Sequence, residues 1–355
     1  MLNNIEIQNY RNLKHLRIEK LGRVNLIIGR NNTGKTSLLE AFYLFVNQDE
    51  VEAVSNIINN RGERYSLETS ESDSEKTLKI VNNLFWDRNK NGTSVIKIES
   101  NDKAFILGTR KLLRTDINPP TIQCWIEIVR DKNKPQKFIV FTGSRGELKN
   151  IPDERNEVTA TINVKFVEST IASSRQNHSN QLAAYHDSIF LEDNYEYVIE
   201  ALQIIDNNIE RVAYLPDLIL NERFPVARLK NGERINLLSM GDGINRILAI
   251  ILTMLNCEDG YLLIDEFENG LHYSVQEKLW EIIFHLAERL NIQVFATTHS
   301  SDTIRAFENI VNQNEMTPLD GLLIKLENIN DTIKATTFEP GELKIITDNL
   351  IEVRR

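Results

Sequence analysis

Val24-Asn25-Leu26-Ile27-Ile28-Gly29-Arg30-Asn31-Asn32-Thr33-Gly34-Lys35-Thr36-Ser37-Leu38-Leu39 is the stretch on which the fold turns. Its first five residues form a short, nearly continuous apolar run, the pattern of a central strand covered on both faces. Gly29 ends the run. Across residues 37–46, Leu38, Leu39, Phe42 and Phe45 recur at helical spacing. Between strand and helix, residues 29–36 fit the pattern G-x-x-x-x-G-K-[ST]. In that setting backbone N–H groups and the helix N-terminus make a concavity of positive potential that holds phosphate oxygens. Lys35 adds a point charge for the β- and γ-phosphates, and the Thr36 hydroxyl suits a Mg2+ ligand.

Three polar clusters downstream sit where an apolar run ends or a helix begins. Asp265-Glu266 follows the apolar run 261–264, so both carboxylates emerge at a strand's C-terminal end, where ligands bind in open α/β sheets. An Asp-Glu pair is common at ordinary strand ends. Below a phosphate loop it reads as a metal-holding Asp265 and a water-polarising Glu266. Leu238-Ser239-Met240-Gly241-Asp242-Gly243 precedes the helical run 244–255. Alone it is a capped helix start; with the other clusters, Ser239 and the Gly241 N–H form an anion site. Thr297-Thr298-His299-Ser300 closes the strand 293–296, and His299 is either structural or a γ-phosphate sensor. His272 carries the same ambiguity.

At 355 residues with net charge −10, the chain can bury a large core and does not simply coat nucleic acid, although a local basic patch remains compatible. Cys124 and Cys257 lie far apart in apolar contexts without metal spacing, which reads as buried thiols in a reducing cytosol. The N-terminus lacks a signal-peptide layout, and the longest aliphatic run, 247–255, is far too short to span a bilayer. The expectation is a cytoplasmic protein with no membrane partner.

In order along the chain, residues 2–10 and 16–18 alternate as strands. Residues 47–76 read as a polar, solvated loop ending in the run 68–76. Residues 93–167 carry β-rich runs at 94–98, 122–129, 138–141 and 158–167, separated by polar turns, a second, antiparallel β layer. Residues 168–190 are polar, and their histidines His178 and His186 read as surface or packing residues. A helix is expected over 195–209, without a sustained heptad. Arg223, Arg228, Lys230 and Arg234 surround Asn231-Gly232 in a charged hairpin. Helices at 244–255 and 275–290 alternate with strands at 261–264 and 293–296, implying a parallel sheet covered on both sides. A closing hairpin over 321–326 and 332–338 precedes a short helix near 342–349.

Together the clusters resemble the ABC-type ATPase heads of the SMC, RecF and OLD (overcoming-lysogenization-defect) group. Residues 29–36 look like its Walker A motif, 238–242 like the ABC signature, 262–266 like Walker B, and Thr298-His299-Ser300 like the His-switch. Asn9-Tyr10-Arg11-Asn12 is similar to an element near the nucleotide in this group. Gly241-Asp242-Gly243-x-x-Arg246 and residues 265–272 look closest to OLD-like ATPases of prokaryotic anti-phage defence. The resemblance covers residues 1–46 and 226–307 well and the middle weakly.

The resemblance implies an α/β P-loop NTPase of ABC-ATPase type: a mixed sheet covered by helices, an additional antiparallel β layer, and a helical lobe carrying the signature. The nucleotide-binding core would be 1–46 and 226–355, with 47–225 inserted. ATP and Mg2+ would be held by Arg11, Gly29, Asn31, Asn32, Thr33, Gly34, Lys35, Thr36 and Ser37. Thr36 and Asp265 would face the metal, and Glu266 and His299 would be catalytic. Ser239, Gly241 and Asp242 would serve the ATP of a partner, because in this group two heads sandwich two nucleotides. The stretch after His299 is too short for a Toprim nuclease, so the expected partners are a second copy of this chain and a separately encoded nuclease or toxin effector, with DNA or RNA a further possibility. A RecF-like DNA-repair ATPase and an ATP-assembled scaffold with incidental hydrolysis are the competing readings.

Overall fold

The computed structural model describes residues 1–47, 50–61, 81–88, 94–101, 103–114, 121–129, 140–142, 148–150, 164–167, 175–217, 219–313 and 319–343. The first part runs β1 (Ile5–Tyr10), β2 (Leu13–Ile18), β3 (Val24–Gly29), α1 (Lys35–Val46) and α2 (Glu50–Asn60). Six strands follow: β4 (Val95–Ser100), β5 (Lys103–Arg114), β6 (Thr121–Val129), β7 (Val140–Thr142), β8 (Leu148–Asn150) and β9 (Val164–Val167). Next come α3 (Arg175–Ile189), α4 (Glu196–Gln203), β10 (Ile209–Asp217), β11 (Glu222–Leu229) and β12 (Arg234–Asn236). The last part is α5 (Asp242–Leu255), β13 (Tyr261–Ile264), α6 (Tyr273–Arg289), β14 (Gln293–Thr298), α7 (Ser301–Val311), β15 (Gly321–Ile329) and β16 (Thr332–Phe338).

The main sheet has the order β16-β15-β3-β14-β13-β9. Every neighbouring pair in it is parallel except the β15–β16 hairpin at one edge. All six residues of β14 are buried, as are the first five of β3, because both faces of the sheet are covered. Alternation along each strand assigns the faces. Val24, Leu26, Ile28, Leu262, Ile264, Val294 and Ala296 enter one core with α3 to α7. Ile27, Leu263 and Phe295 enter the other, with α1, α2, β1, β2, β4 and β5. The sheet therefore divides two cores, and the phosphate-loop helix α1 lies on the second side, where Phe42 stacks on Phe295 at 4.0 Å.

The antiparallel layer has the order β2-β1-β4-β5-β6. It is built from both sides of the phosphate loop, since β1 pairs with β2 and with β4. Segment 47–225 also lends β9 to the main sheet beside β13. The division of the chain at residues 46 and 226 thus does not follow a sheet boundary. The smaller sheet β10-β11-β12 packs with α3, α4 and α5 into the lobe that carries residues 238–242.

Some expectations give way. Residues 50–60 are not loop: α2 forms there, with Ala53, Val54, Ile57 and Ile58 buried in two adjacent turns of one face. The polar run 68–76 lies outside the described residues, as does most of the helix expected near 342–349. The helix expected over 195–209 stops at Gln203, and Ile209 opens β10 instead. The cause is local: Asp206 Oδ1 accepts from the Asn208 backbone at 2.9 Å, an Asx turn that competes with helix. Elements α3, β5, β8, β10 and α7 correspond to no expectation from the sequence. Cys257 is buried, its thiol donating to the Tyr261 carbonyl at 3.0 Å, while the Cys124 side chain lies outside the described residues. No described helix is long and apolar enough to cross a membrane.

Phe267, directly after Asp265-Glu266, stacks on Trp280 of α6 at 4.0 Å, and Phe307 of α7 meets the indole edge-on at 5.1 Å. Trp280 is fully buried, and its indole N–H has no hydrogen-bond partner among the described residues. Trp280→Ala should therefore lower the unfolding free energy by about 3–5 kcal/mol, with Trp280→Phe costing clearly less, as read from urea denaturation. Equal costs for both variants would show that the loss is not one of packed volume.

Candidate functional site

The loop after β3 is held in a shape that only glycine permits at two points. A Cβ on Gly29 would lie 2.5 Å from Thr33 Oγ1 and 2.6 Å from the Leu326 carbonyl. Gly34 has φ 87°, and a Cβ there would meet Leu13 at 2.8 Å. Thr33, buried in the turn, closes it through its hydroxyl and its N–H, both donating to the Arg30 carbonyl. Helix α1 starts with no side-chain cap and no acidic residue in its first turn, so its N-terminal N–H groups stay electropositive. The Lys35 ammonium donates to the carbonyls of Gly29 at 2.9 Å and Arg30 at 3.1 Å, and lies 3.3 Å from His299 Nδ1. Burial lowers the Lys35 pKa to about 8, against the pull of Asp265, Glu268 and Glu266.

Register places the other clusters beside this loop. Ile28 pairs with Thr298, and Ala296 with Ile264, so Gly29, His299 and Asp265 leave the sheet at one end. Thr36 Oγ1 lies 3.3 and 3.2 Å from the two oxygens of Asp265. Thr297 ties the strand ends together: its hydroxyl donates to Asp265 Oδ1 at 2.6 Å and accepts the Glu266 N–H at 2.8 Å. Glu266 itself has φ 48°, in the left-handed region. Glu268 accepts from the Thr298 hydroxyl and from the His299 N–H, each at 2.7 Å. Arg246 of α5 donates from Nη2 to the carbonyls of Asp265 at 2.6 Å and Glu266 at 3.1 Å. Burial brings this arginine's pKa down to about 10, against Asp265, Glu266 and Glu268.

These groups open into one cavity of about 910 Å³, lined by Asn31, Asn32, Gly34, Lys35, Thr36, Ser37, Asp265, Glu266 and His299. Arg11 and Asn12 also line it, with Arg61, Asn83, Phe85, Trp86 and Arg88. Gly29 and Thr33 shape the loop from behind. Arg11 is oriented by Glu40 of α1, whose carboxylate also takes the Tyr10 hydroxyl at 3.0 Å and Arg61 Nε at 2.7 Å. Sequence reading missed Arg61, which directly follows the unrecognised α2, and the whole segment 81–88. That segment is held at the cavity by pairing with the Tyr10 turn, through Arg11 N–H to Leu84 and Trp86 N–H to Asn9. Glu268 and Thr297 stand inside quoted motifs, but sequence reading gives neither a role. The hard oxygen donors of Thr36 and Asp265 suit Mg2+, whose remaining positions water and phosphate would fill. No cluster of three or more His, Cys, Asp and Glu residues fit to hold a metal occurs among the described residues.

Ser239, Gly241 and Asp242 are not brought into this cavity. Ser239 sits in a single 3-10 turn, its hydroxyl donating to the Asn236 carbonyl at 2.6 Å. Gly241 has φ 100° with open space where a Cβ would be, and Asp242 begins α5. All three are exposed, beside a Leu238 that is 60% exposed. His272 caps α6 through Nδ1 and the Ser274 N–H, a structural role. His186 is buried, 3.2 Å from the Val212 carbonyl among Phe190, Tyr195 and Tyr214, so it packs the lobe; the His178 side chain lies outside the described residues.

Known proteins resemble this chain to differing extents. An ATP/GTP phosphatase of Helicobacter pylori is 24% identical over 348 residues, covering 89% of this chain and 90% of the relative. The DNA replication and repair protein RecF of Haemophilus ducreyi is 31% identical over 121 residues, 34% of this chain and 32% of that protein. A solved Smc head bound to the C-winged helix domain of ScpA superposes with a TM-score of 0.51 at 11% identity, over 95% of this chain and 98% of that one, a likeness of fold. The family model described as "AAA domain, putative AbiEii toxin, Type IV TA system" matches residues 24–305, well over half of the chain. The chain therefore belongs to that AAA-domain family, and its fold is that of a P-loop ATPase head of ABC type.

Proposed function

We propose that this chain is a Mg2+-dependent ATP hydrolase whose two copies close head to head on two nucleotides. Closure controls a separately encoded effector, a nuclease or toxin, in a cytoplasmic phage-defence system of OLD-like type. One observation carries the reading: Lys35, Thr36, Asp265, Glu266 and His299 share a cavity, while Ser239, Gly241 and Asp242 stand exposed outside it. The first set serves the nucleotide of its own chain and the second that of a partner. The name of the Helicobacter pylori relative supports hydrolysis, and the toxin–antitoxin wording of the family description supports a partnered system.

In this mechanism the loop N–H groups of residues 29–36 and the Lys35 ammonium bind the phosphates. Thr36 and Asp265 would hold Mg2+, which would supply charge neutralisation at the phosphates. Glu266 orients the attacking water and accepts its proton. His299, already beside Lys35, hydrogen-bonds the terminal phosphate, and Arg11 with Asn31, Asn32 and Ser37 lines the rest of the nucleotide. Closure is a population shift, because the contacts of Ser239 and Gly241 exist only when the heads meet. A RecF-like role on DNA is the second reading, favoured by the matched RecF segment. It requires salt-sensitive DNA binding by the ATP-trapped protein.

Glu266→Gln should bind ATP, lose about 100-fold or more in turnover and accumulate dimers in light scattering with ATP and Mg2+. Full turnover in this variant would remove Glu266 from the reaction. The lowered Lys35 pKa gives a second expectation. Phosphate favours the ammonium and raises its pKa on binding, so well below pH about 8 the cation is already present and binding takes up no proton there. Above that value binding must take up a proton at this group, and affinity falls by up to about tenfold per pH unit. Calorimetry in buffers of different ionisation enthalpy should show proton uptake growing between about pH 7.5 and pH 9, and a flat value near zero would contradict it.

A further inference from the structure

Arg246 has no part in the mechanism so far, yet it is the side chain that joins its two halves. It lies on α5, one turn inside the exposed segment 239–242. Its Nη2 donates to two consecutive carbonyls, those of Asp265 and Glu266. The same two residues are held on their other side by Thr297, which binds the Asp265 carboxylate and the Glu266 N–H. Between these holds Glu266 adopts φ 48°, a conformation that residues other than glycine keep only where their surroundings impose it. A residue's backbone angles decide where its side chain points. The hold on the carbonyls is therefore also a hold on the Glu266 carboxylate at the cavity wall.

A second contact ties the same two segments. Gly243 lies so close to Gly270 that a Cβ would come within 2.8 Å of the Gly270 carbonyl. Gly270, with φ 74°, in turn faces Asp242, where its own Cβ would meet the aspartate side chain at 3.1 Å. Gly243 and Arg246, three residues apart, lie on one face of α5. The start of α5 is thus fastened to residues 265–270 at both ends of that face, by close backbone packing at one and by hydrogen bonds at the other.

We propose that Arg246 is a positioning residue that sets the direction of the Glu266 carboxylate and transmits to it any movement of the 239–242 loop. Engagement of that loop by a second copy then aligns the carboxylate for hydrolysis, which makes turnover depend on closure as well as on nucleotide binding. The inference rests on the roles proposed above for Glu266 and for the exposed loop.

The test uses Arg246→Ala and Arg246→Lys in the full chain, alone and combined with Glu266→Gln. Arg246→Ala should lose about 100-fold in kcat while Kd for ATP stays within about threefold, the size of effect expected when a catalytic group is misplaced. Arg246→Lys keeps the charge but not the reach or the planar fork, and should fall between Arg246→Ala and wild type. Added guanidinium should restore part of the Arg246→Ala rate. Because the arginine acts through Glu266, Arg246→Ala should cost little in the Glu266→Gln background, a strong non-additivity. Wild-type kcat in either Arg246 variant, or fully additive losses in the double variant, overturns the proposal. If Arg246→Ala does not fold, Arg246→Lys with unchanged Tm is decisive: reduced kcat at unchanged Kd supports the proposal, and wild-type kcat overturns it. Full activity of Glu266→Gln alone would instead fault the underlying catalytic assignment, so the two failures are distinguishable.

Discussion

Three buried parallel strands, β3, β14 and β13, end at the same level of one sheet, and the chemistry of the molecule hangs on that register. A slip of one residue between β3 and β14 would send Ile27 into the wrong core and turn His299 from the phosphate loop. The two cores make such a slip costly, because Ile27, Leu263 and Phe295 all point to one side and their neighbours to the other. Packing at the interior of the sheet thus sets positions at its rim, where Thr297 converts strand alignment into hydrogen bonds on Asp265 and Glu266.

At that rim charge is balanced within the protein. Lys35 and Arg246 are both partly desolvated, and both face Asp265, Glu266 and Glu268. Lys35 turns to backbone carbonyls at the mouth of its own loop, which satisfies the ammonium and keeps the loop open around it. A phosphate competes with those carbonyls by offering full negative charge, so the same burial that weakens the free ammonium strengthens its pairing with an anion. Glu268 belongs to this arrangement too: by accepting the His299 N–H it fixes the backbone from which the imidazole approaches Lys35.

What could be read from sequence were the elements whose signal is local. The strands 24–28, 261–264 and 293–296 are apolar runs cut off by polar clusters, and β3, β13 and β14 match them within two residues. Residues 50–60 misled because Ala53, Val54, Ile57 and Ile58 sit among polar neighbours in a segment of low hydrophobicity, and their burial comes from α1 and the antiparallel layer rather than from the segment itself. The wall formed by 81–88 could not be read at all, because its place depends on backbone pairing with a turn more than seventy residues earlier. Arg246 stood in a quoted motif, but only the fold shows that its side chain crosses to the Asp265 and Glu266 carbonyls.

The exposed loop 239–242 gains meaning from what lies behind it. Asn236 caps only the 3-10 turn and Ser239 bonds back to the chain, so α5 itself starts at Gly241 with no side-chain cap. No described residue comes within 4 Å of a Cβ placed on Gly241, so among the described residues its glycine is demanded by φ 100° and not by a neighbour. At Gly241 such a loop leaves its backbone open to close approach, between the exposed Ser239 and Asp242. Immediately beneath it, Gly243 and Gly270 bring the two backbones into contact, and Arg246 reaches the carbonyls next to Glu266. A side chain at Gly243 or Gly270 would hold the two segments apart. Their smallness is what makes the outward loop and the carboxylate behave as one body.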